Sequence, residues 1–338
     1  GIEPDPAWIR GDMKGAIIKS PQGTTFQLDE SKAGAEVGYV LERHIFDKAL
    51  ARLAAEAGAK IMLRTSCTGI IREEGEIVGI KARSMGEEIE IRAKCVVAAD
   101  GYESQVGRWG GIDTNLKLSD IDSCIQYRMC NIDVAPDYCE FVIGSVAPGG
   151  YIWIFPKGNG VANVGIGVMG RLCKGDGDAK RYLDDFIAKD PRLNKGQCLE
   201  IMGGFVSTCP GLDCSVDDRL VLVGDAARII DPITGGGIAH ACRTGMYAGK
   251  VLTECAKTGD YSKKALMAYD KMWRDRMEDK LFRNFMAKEK LASLDDETID
   301  ELIKMIKTAD IGEVNVYNLL KAVKEKFPKV VEGFEDLI

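Results

Sequence analysis

Apolar residues recur along this chain in two rhythms. Short runs rich in Val, Ile and Leu, bounded by Gly, Pro, Asn or Asp, predict strands, whereas apolar positions three and four apart predict helices. Gly15 to Ser20 and Thr24 to Leu28 flank Pro21-Gln22-Gly23 and predict a hairpin. Val37 to Leu41 predicts a short strand. Ile45, Phe46, Ala49, Leu50, Leu53 and Ala54 then share one face of a helix from about Ile45 to Ala57, stopped by Gly58.

From Lys60 to Ala99 the pattern is that of strands. Lys60 to Arg64, Thr68 to Arg72, Ile77 to Arg83 and Glu87 to Arg92 alternate, with breaks at Glu74-Gly75 and Met85-Gly86, and the last three predict an antiparallel meander. Cys95 to Ala99 is a continuous apolar run, which fits a buried parallel strand. A second strand region follows at Ser123 to Arg128, Tyr138 to Ile143, Tyr151 to Phe155 and Ala162 to Val168, then a helix from Ala179 to Ala188 and a strand around Cys198 to Val206. Beyond Gly237 the rhythm is helical: Ile238 to Thr258, Ser262 to Leu291, Asp296 to Thr308 and Val314 to Glu325.

One stretch organises these elements. Leu220-Val221-Leu222-Val223 is halted by Gly224-Asp225, and Gly235-Gly236-Gly237 opens the next helix. A carboxylate at Asp225 stands at the carboxyl end of its strand, where open α/β sheets place ligands, and accepts hydrogen bonds from sugar-like hydroxyls. The glycines let backbone approach a ligand, and the helix start offers unpaired N–H groups and a positive dipole end.

Composition narrows the field. The chain has 338 residues, 46% of them hydrophobic, enough for a sizeable core. Its net charge of −7, with no long basic run, argues against a nucleic-acid partner. Eleven cysteines with no Cys-x-x-Cys pair, beside only two histidines, argue against a disulfide framework and a metal site and favour a reducing cytoplasm. Most thiols, Cys95 and Cys242 included, read as small hydrophobes in the core. No stretch has the length of a membrane span.

Three signals occur in order: Glu42-Arg43 before a helix, Ala99-Asp100-Gly101 after a strand, and Gly224-Asp225. This order resembles the flavoprotein hydroxylase superfamily of the p-hydroxybenzoate hydroxylase type. Within it, Val40 to Asp47, Gly150-Tyr151-Ile152-Trp153-Ile154-Phe155-Pro156-Lys157 with Gly165-x-Gly167, and Gly224 to Ile238 resemble the geranylgeranyl reductases, especially the archaeal digeranylgeranylglycerophospholipid reductases.

The resemblance implies an α/β fold: a split, Rossmann-like FAD-binding domain with an inserted antiparallel sheet for the substrate and a helical C-terminus. Residues 1–118 and 207–258 are expected in the FAD-binding parts, 119–206 in the sheet domain and 259–338 in the helical region. It implies that Arg43 contacts FAD, that Asp225 binds its ribityl or pyrophosphate region, that Gly237 and Ile238 present backbone to the flavin, and that Cys67 touches the adenosine side through its main chain. On residue types alone Arg43 also reads as an ion pair with Asp47 one helical turn on, and Asp100-Gly101 as a plain turn. Tyr151, Trp153 and Phe155 alternate onto one strand face, a groove for an isoprenoid chain or core packing. Lys157 reads either as a phosphate contact or as a solvated turn lysine.

The family pattern begins with a strand and a Gly-x-Gly-x-x-Gly turn for the FAD pyrophosphate. These residues contain no such unit, so a chain lacking the first βαβ unit, and with it the cysteine-bearing segment near the flavin, is expected; no catalytic acid is assigned. The implied activity is hydride transfer from reduced FAD to isoprenoid C=C bonds, with electrons from a ferredoxin, NAD(P)H or a deazaflavin. Location is expected to be cytoplasmic, with transient contact at the membrane surface. The alternatives are an FAD-dependent aromatic monooxygenase, and a non-catalytic fragment or isoprenoid-binding module that does not retain FAD.

Overall fold

Strands and helices follow the two hydrophobic rhythms closely. The computed structural model of the chain describes residues 3–29 and 38–308, with 318, 321, 323 and 324. In chain order the strands are β1 (Ile9–Asp12), β2 (Gly15–Lys19), β3 (Thr25–Asp29), β4 (Tyr39–Leu41), β5 (Thr65–Glu73), β6 (Glu76–Ser84), β7 (Glu87–Arg92), β8 (Val96–Ala98), β9 (Ile121–Cys130), β10 (Tyr138–Ile143), β11 (Tyr151–Gly158), β12 (Val161–Met169), β13 (Gln197–Ser207), β14 (Val216–Asp217) and β15 (Leu220–Leu222). The α-helices are α1 (Arg43–Glu56), α2 (Gln105–Trp109), α3 (Asp178–Lys189), α4 (Ile238–Thr258), α5 (Lys263–Trp273), α6 (Asp279–Leu291) and α7 (Asp296–Thr308), with a π-helical stretch at Arg274–Glu278 between α5 and α6. The helix expected from Val314 to Glu325 falls mostly outside the described residues.

The chain divides into two compact units, one of Gly1–Ala59, Asp122–Phe205 and Met286–Ile338, the other of Lys60–Ile121 and Val206–Phe285. The division expected from sequence put residues 1–118 with 207–258; residues 60–118 share a unit with 207–258, whereas 1–59 group with the large sheet, in which β2 pairs in parallel with β10.

In the first unit seven strands run in the order β13-β9-β12-β11-β10-β2-β3. Alternation decides its two faces. Ile152, Ile154, Val164, Ile166 and Val168 point to one side and are fully buried with Leu183 of α3. Tyr151, Trp153, Phe155, Gly165 and Gly167 take the other. At the β3 end, Phe26 and Leu28 pack with Ile299 and Ile303 of α7.

The second unit holds the expected β5-β6-β7 meander and a three-stranded sheet ordered β14-β15-β8, with β15 parallel to β8. Leu220, Val221 and Leu222 are fully buried, as their unbroken apolar run requires. Tyr269 of α5 donates its hydroxyl to the Leu222 carbonyl at 2.7 Å. Asp270 beside it accepts from the Ser215 backbone at 2.9 Å and from Arg274 Nε at 2.6 Å, tying helix to sheet.

Three expectations are corrected. Lys60 to Arg64 is not a strand: Arg64 takes a left-handed φ of 50° that breaks the extended run, and Leu63 is 79% exposed. Within β8, Val96 and Ala98 are buried but Val97 is exposed, so that strand is covered on one face. Cys242 is an exposed residue of α4 rather than core filler, as is Cys198 on β13. Among the described residues no helix is long and apolar enough to cross a membrane.

Candidate functional site

The buried strand β15 ends in a turn that its sequence makes obligatory. Gly224 has φ +56°, and a Cβ there would lie 3.0 Å from Ala241 Cβ on α4. Thr244, fully buried in α4, accepts the Gly224 N–H at 3.0 Å and donates to the His240 carbonyl at 2.8 Å. The strand exit is thereby fixed to the helix that follows the glycine loop.

Asp231 shapes that loop. Its Oδ1 accepts from the backbone N–H groups of Ile233 at 3.0 Å and Thr234 at 3.2 Å, an Asx-type turn, while its Oδ2 accepts from the buried Asn284 at 2.7 Å. Gly235 N–H closes the turn onto the Asp231 carbonyl at 2.8 Å, with Gly235 at φ +63°. His240 places Nδ1 3.0 Å from the Gly236 carbonyl, so this histidine braces the loop.

The loop delivers Gly237, the N-cap of α4, against Asp225: a Cβ at 237 would stand 2.7 Å from Asp225 Oδ1. A carboxylate that accepts hydroxyl donors and a helix start that donates to electron-rich groups therefore lie side by side. Ile238, 40% exposed, opens the helix.

Asp100 and Cys67 belong to the same unit. Asp100 Oδ2 accepts the Val106 N–H of α2 at 2.8 Å, Gly101 turns at φ +76°, and Ser104 donates its buried hydroxyl to the Ala226 carbonyl at 2.9 Å. The Asp-Gly turn thus supports the 224–227 turn from below. Cys67 sits where the β5–β6 register slips between Cys67 and Gly69, a bulge that takes main chain out of the ladder. Burial pushes its thiol up, and the Asp100 charge adds to this.

The first unit carries the remaining residues. Arg43 forms an exposed pair with Asp47 at 3.0 and 3.2 Å. Its neighbour Glu42 is 3% exposed and accepts from Arg128 Nη2 at 2.8 Å and Lys157 Nζ at 3.1 Å, with Arg10 Nε at 3.7 Å and His44 Nδ1 at 3.4 Å. Burial raises the Glu42 carboxyl, but donation from Lys157 and Arg128 outweighs it and holds the group below its ordinary value. Lys157 is no solvated turn lysine: it is 9% exposed and also donates to the Leu41 carbonyl at 3.0 Å. Burial, with Arg128 and Arg10 nearby, outweighs the attraction of Glu42 and lowers its pKa. One carboxylate shared among three cations accounts for both directions.

The aromatic stripe is real and half-buried. Tyr151 meets Trp153 with ring centroids 5.9 Å apart, Trp153 stacks on Phe155 at 6.2 Å, and Phe141 of β10 closes edge-on against Phe155 at 5.7 Å. Trp153 lies flat across β12 because Gly165 has no side chain; a Cβ there would come within 2.3 Å of the indole. Trp153 Nε1 donates to Gln126 at 2.8 Å. The face presents ring surface flanked by bare backbone.

Sequence reasoning gave no role to Asp231, Thr244, Ser104 or Arg128, and named Glu42 only within the Glu42-Arg43 signal. Asp231-Pro232 ahead of three glycines carried an Asx-turn signal, and a charged residue at Arg128 closing an apolar strand was a sign of a buried partner.

Residues 120–206 match the geranylgeranyl reductase catalytic domain, and residues 13–145 match an FAD binding domain. The chain is 48% identical over its whole length to a digeranylgeranylglycerophospholipid reductase of Thermoplasma volcanium, covering 86% of that protein. It is 47% identical to the protein of the same description from Thermoplasma acidophilum, again covering 86%. A crystal structure of a geranylgeranyl bacteriochlorophyll reductase-like protein from Thermoplasma acidophilum superposes with a TM-score of 0.94 at 47% identity, over 100% of this chain and 85% of that one.

Proposed function

Because the chain belongs to the digeranylgeranylglycerophospholipid reductase family of FAD-dependent oxidoreductases, we infer that it saturates geranylgeranyl groups of archaeal-type ether lipid precursors, on the residues assigned as follows. Asp225 binds the ribityl or pyrophosphate region of FAD, and the backbone of Gly237 and Ile238 meets the flavin. The close approach of Gly237 to Asp225, where a Cβ would stand 2.7 Å from Oδ1, is the observation that carries this reading, because it sets the carboxylate beside the start of the helix. Main chain at the Cys67 bulge contacts the adenosine side, and Arg43 exchanges Asp47 for the cofactor.

FAD, held by these residues, would supply the hydride equivalent for the C=C bond, with electrons from a reduced ferredoxin, NAD(P)H or a deazaflavin. The protein's own part is to hold and to dry. Tyr151, Trp153 and Phe155 take the isoprenoid chain along one sheet face and exclude water from it. The lipid substrate brings the protein to the membrane surface transiently, as a peripheral visitor. An aromatic monooxygenase is disfavoured by the Tyr-x-Trp-x-Phe-Pro stretch, and oxygen-dependent NAD(P)H consumption with an aromatic substrate would restore it.

The test is purification followed by anaerobic turnover. A yellow protein that, once chemically reduced, adds hydrogen to a geranylgeranyl diether phospholipid supports the reading; a colourless protein that takes up no FAD supports the binding-module alternative instead.

A further inference from the structure

The aromatic stripe of β11 ends against unspent positive charge. Residues paired across neighbouring strands share a face, and the register runs Phe155 to Asn163 to Arg128 across β11, β12 and β9. Arg128 therefore stands on the stripe's own face, two strands from its last ring with β12 between. There it joins Arg10 and Lys157 around Glu42, at 2.8, 3.7 and 3.1 Å. Three fixed cations meet a single carboxylate. Between ring and guanidinium, Asn163 holds its Oδ1 buried with no hydrogen-bond partner among the described residues. A site that bound only a hydrocarbon would have no use for either feature, because unspent charge and unpaired polar atoms cost free energy wherever they are shielded from water.

We propose that this corner, Arg128 and Arg10 backed by Lys157 and Glu42, holds the phosphate of the lipid whose apolar chain lies on Tyr151, Trp153 and Phe155. The inference rests on the reading of that stripe as the isoprenoid face. Division of labour within the cluster follows from exposure. Lys157 is spent on Glu42 and Leu41. Arg128 grips both Glu42 oxygens, Nη1 at 3.2 Å and Nη2 at 2.8 Å, so only its remaining N–H groups are left for an oxyanion, whereas Arg10 meets Glu42 at 3.7 Å; their side chains are 29% and 40% exposed. Glu42 keeps the three cations from driving one another apart while no phosphate is bound. The same chemistry would suit the pyrophosphate of FAD, so the two sources of phosphate must be separated by experiment.

The experiment measures equilibrium binding to the flavin-loaded protein by tryptophan fluorescence, with two probes: a geranylgeranyl diether phospholipid and the matching neutral diether that lacks phosphate. Arg128→Gln and Arg10→Gln are compared with the parent, Arg10→Gln serving because its contact is peripheral and its loss spares the buried pair. The preference for phospholipid over neutral diether is expected to fall roughly tenfold or more in Arg128→Gln and severalfold in Arg10→Gln, with flavin content retained. An unchanged preference overturns the proposal. An equal loss for both lipids also overturns it, by showing a merely structural cluster, and so does a fall in FAD affinity at unchanged preference, which would assign the corner to the cofactor. If the parent binds both lipids with the expected preference yet reduces neither, the functional reading fails and this one stands.

Discussion

Gly237 and Asp225 approach so closely that any side chain at 237 would displace the carboxylate, its Cβ falling 2.7 Å from Oδ1. Gly237→Ala is therefore expected to weaken FAD binding by about tenfold or more, the scale of one lost charge-assisted hydrogen bond. Gly249→Ala, on an open position of the same helix, is the control and should leave affinity alone. Titration of apoprotein with FAD by flavin fluorescence compares them.

Asp225→Ala removes the acceptor itself and should lower the flavin-to-protein ratio of the purified protein. Unchanged stoichiometry, read from the visible spectrum against protein absorbance, would remove Asp225 from the site.

The loop depends on a buried side chain outside it. Asp231→Ala leaves the Asn284 amide without its acceptor and frees two backbone N–H groups, which should cost roughly 1–3 kcal/mol, seen as a lower urea midpoint at unchanged m-value. FAD stabilisation should shrink as well, because the loop that presents Gly237 loosens.

Much of this architecture was open to reading from the chain. The hairpin, the meander and the boundaries Ile238–Thr258 and Asp296–Thr308 follow from local rhythm, since strand and helix periods leave distinct marks and glycine ends both. Lys60 to Arg64 misled because alternation says nothing of a ladder partner or of a left-handed φ at Arg64. In the site, Asp225 and the glycines were visible because their spacing is local. Glu42 with Arg128 and Lys157 was not, because the partners lie 86 and 115 residues away along the chain and only the tertiary fold unites them.

That cluster sets a stability prediction. Glu42→Gln strips three cations of their shared counter-charge and should destabilise the protein by about 3–5 kcal/mol. Pairing it with Lys157→Met should recover part of the loss. A double variant no better than the sum of the two singles would contradict the coupling.

Alkaline pH should destabilise the fold through half-buried thiols. Burial pushes Cys124 and Cys139 up to about 12 from 9.0, and Cys95 to about 11. A folded-state pKa above the unfolded one contributes stability that is complete below the unfolded value, near 9.0, and is lost as pH rises through the folded value. Cys124 and Cys139 should each remove on the order of 1 kcal/mol per pH unit across that window. Urea unfolding at about pH 8 and about pH 10.5 reads the slope, which should flatten in Cys124→Ala/Cys139→Ala.

The most direct measurement is mass spectrometry of a geranylgeranyl diether phospholipid after anaerobic incubation with the FAD-loaded, dithionite-reduced protein. Stepwise gain of two hydrogens per double bond, abolished when FAD is omitted, is the predicted result. Lipid recovered with every double bond intact, from a protein that has bound both FAD and the lipid, would contradict the assignment.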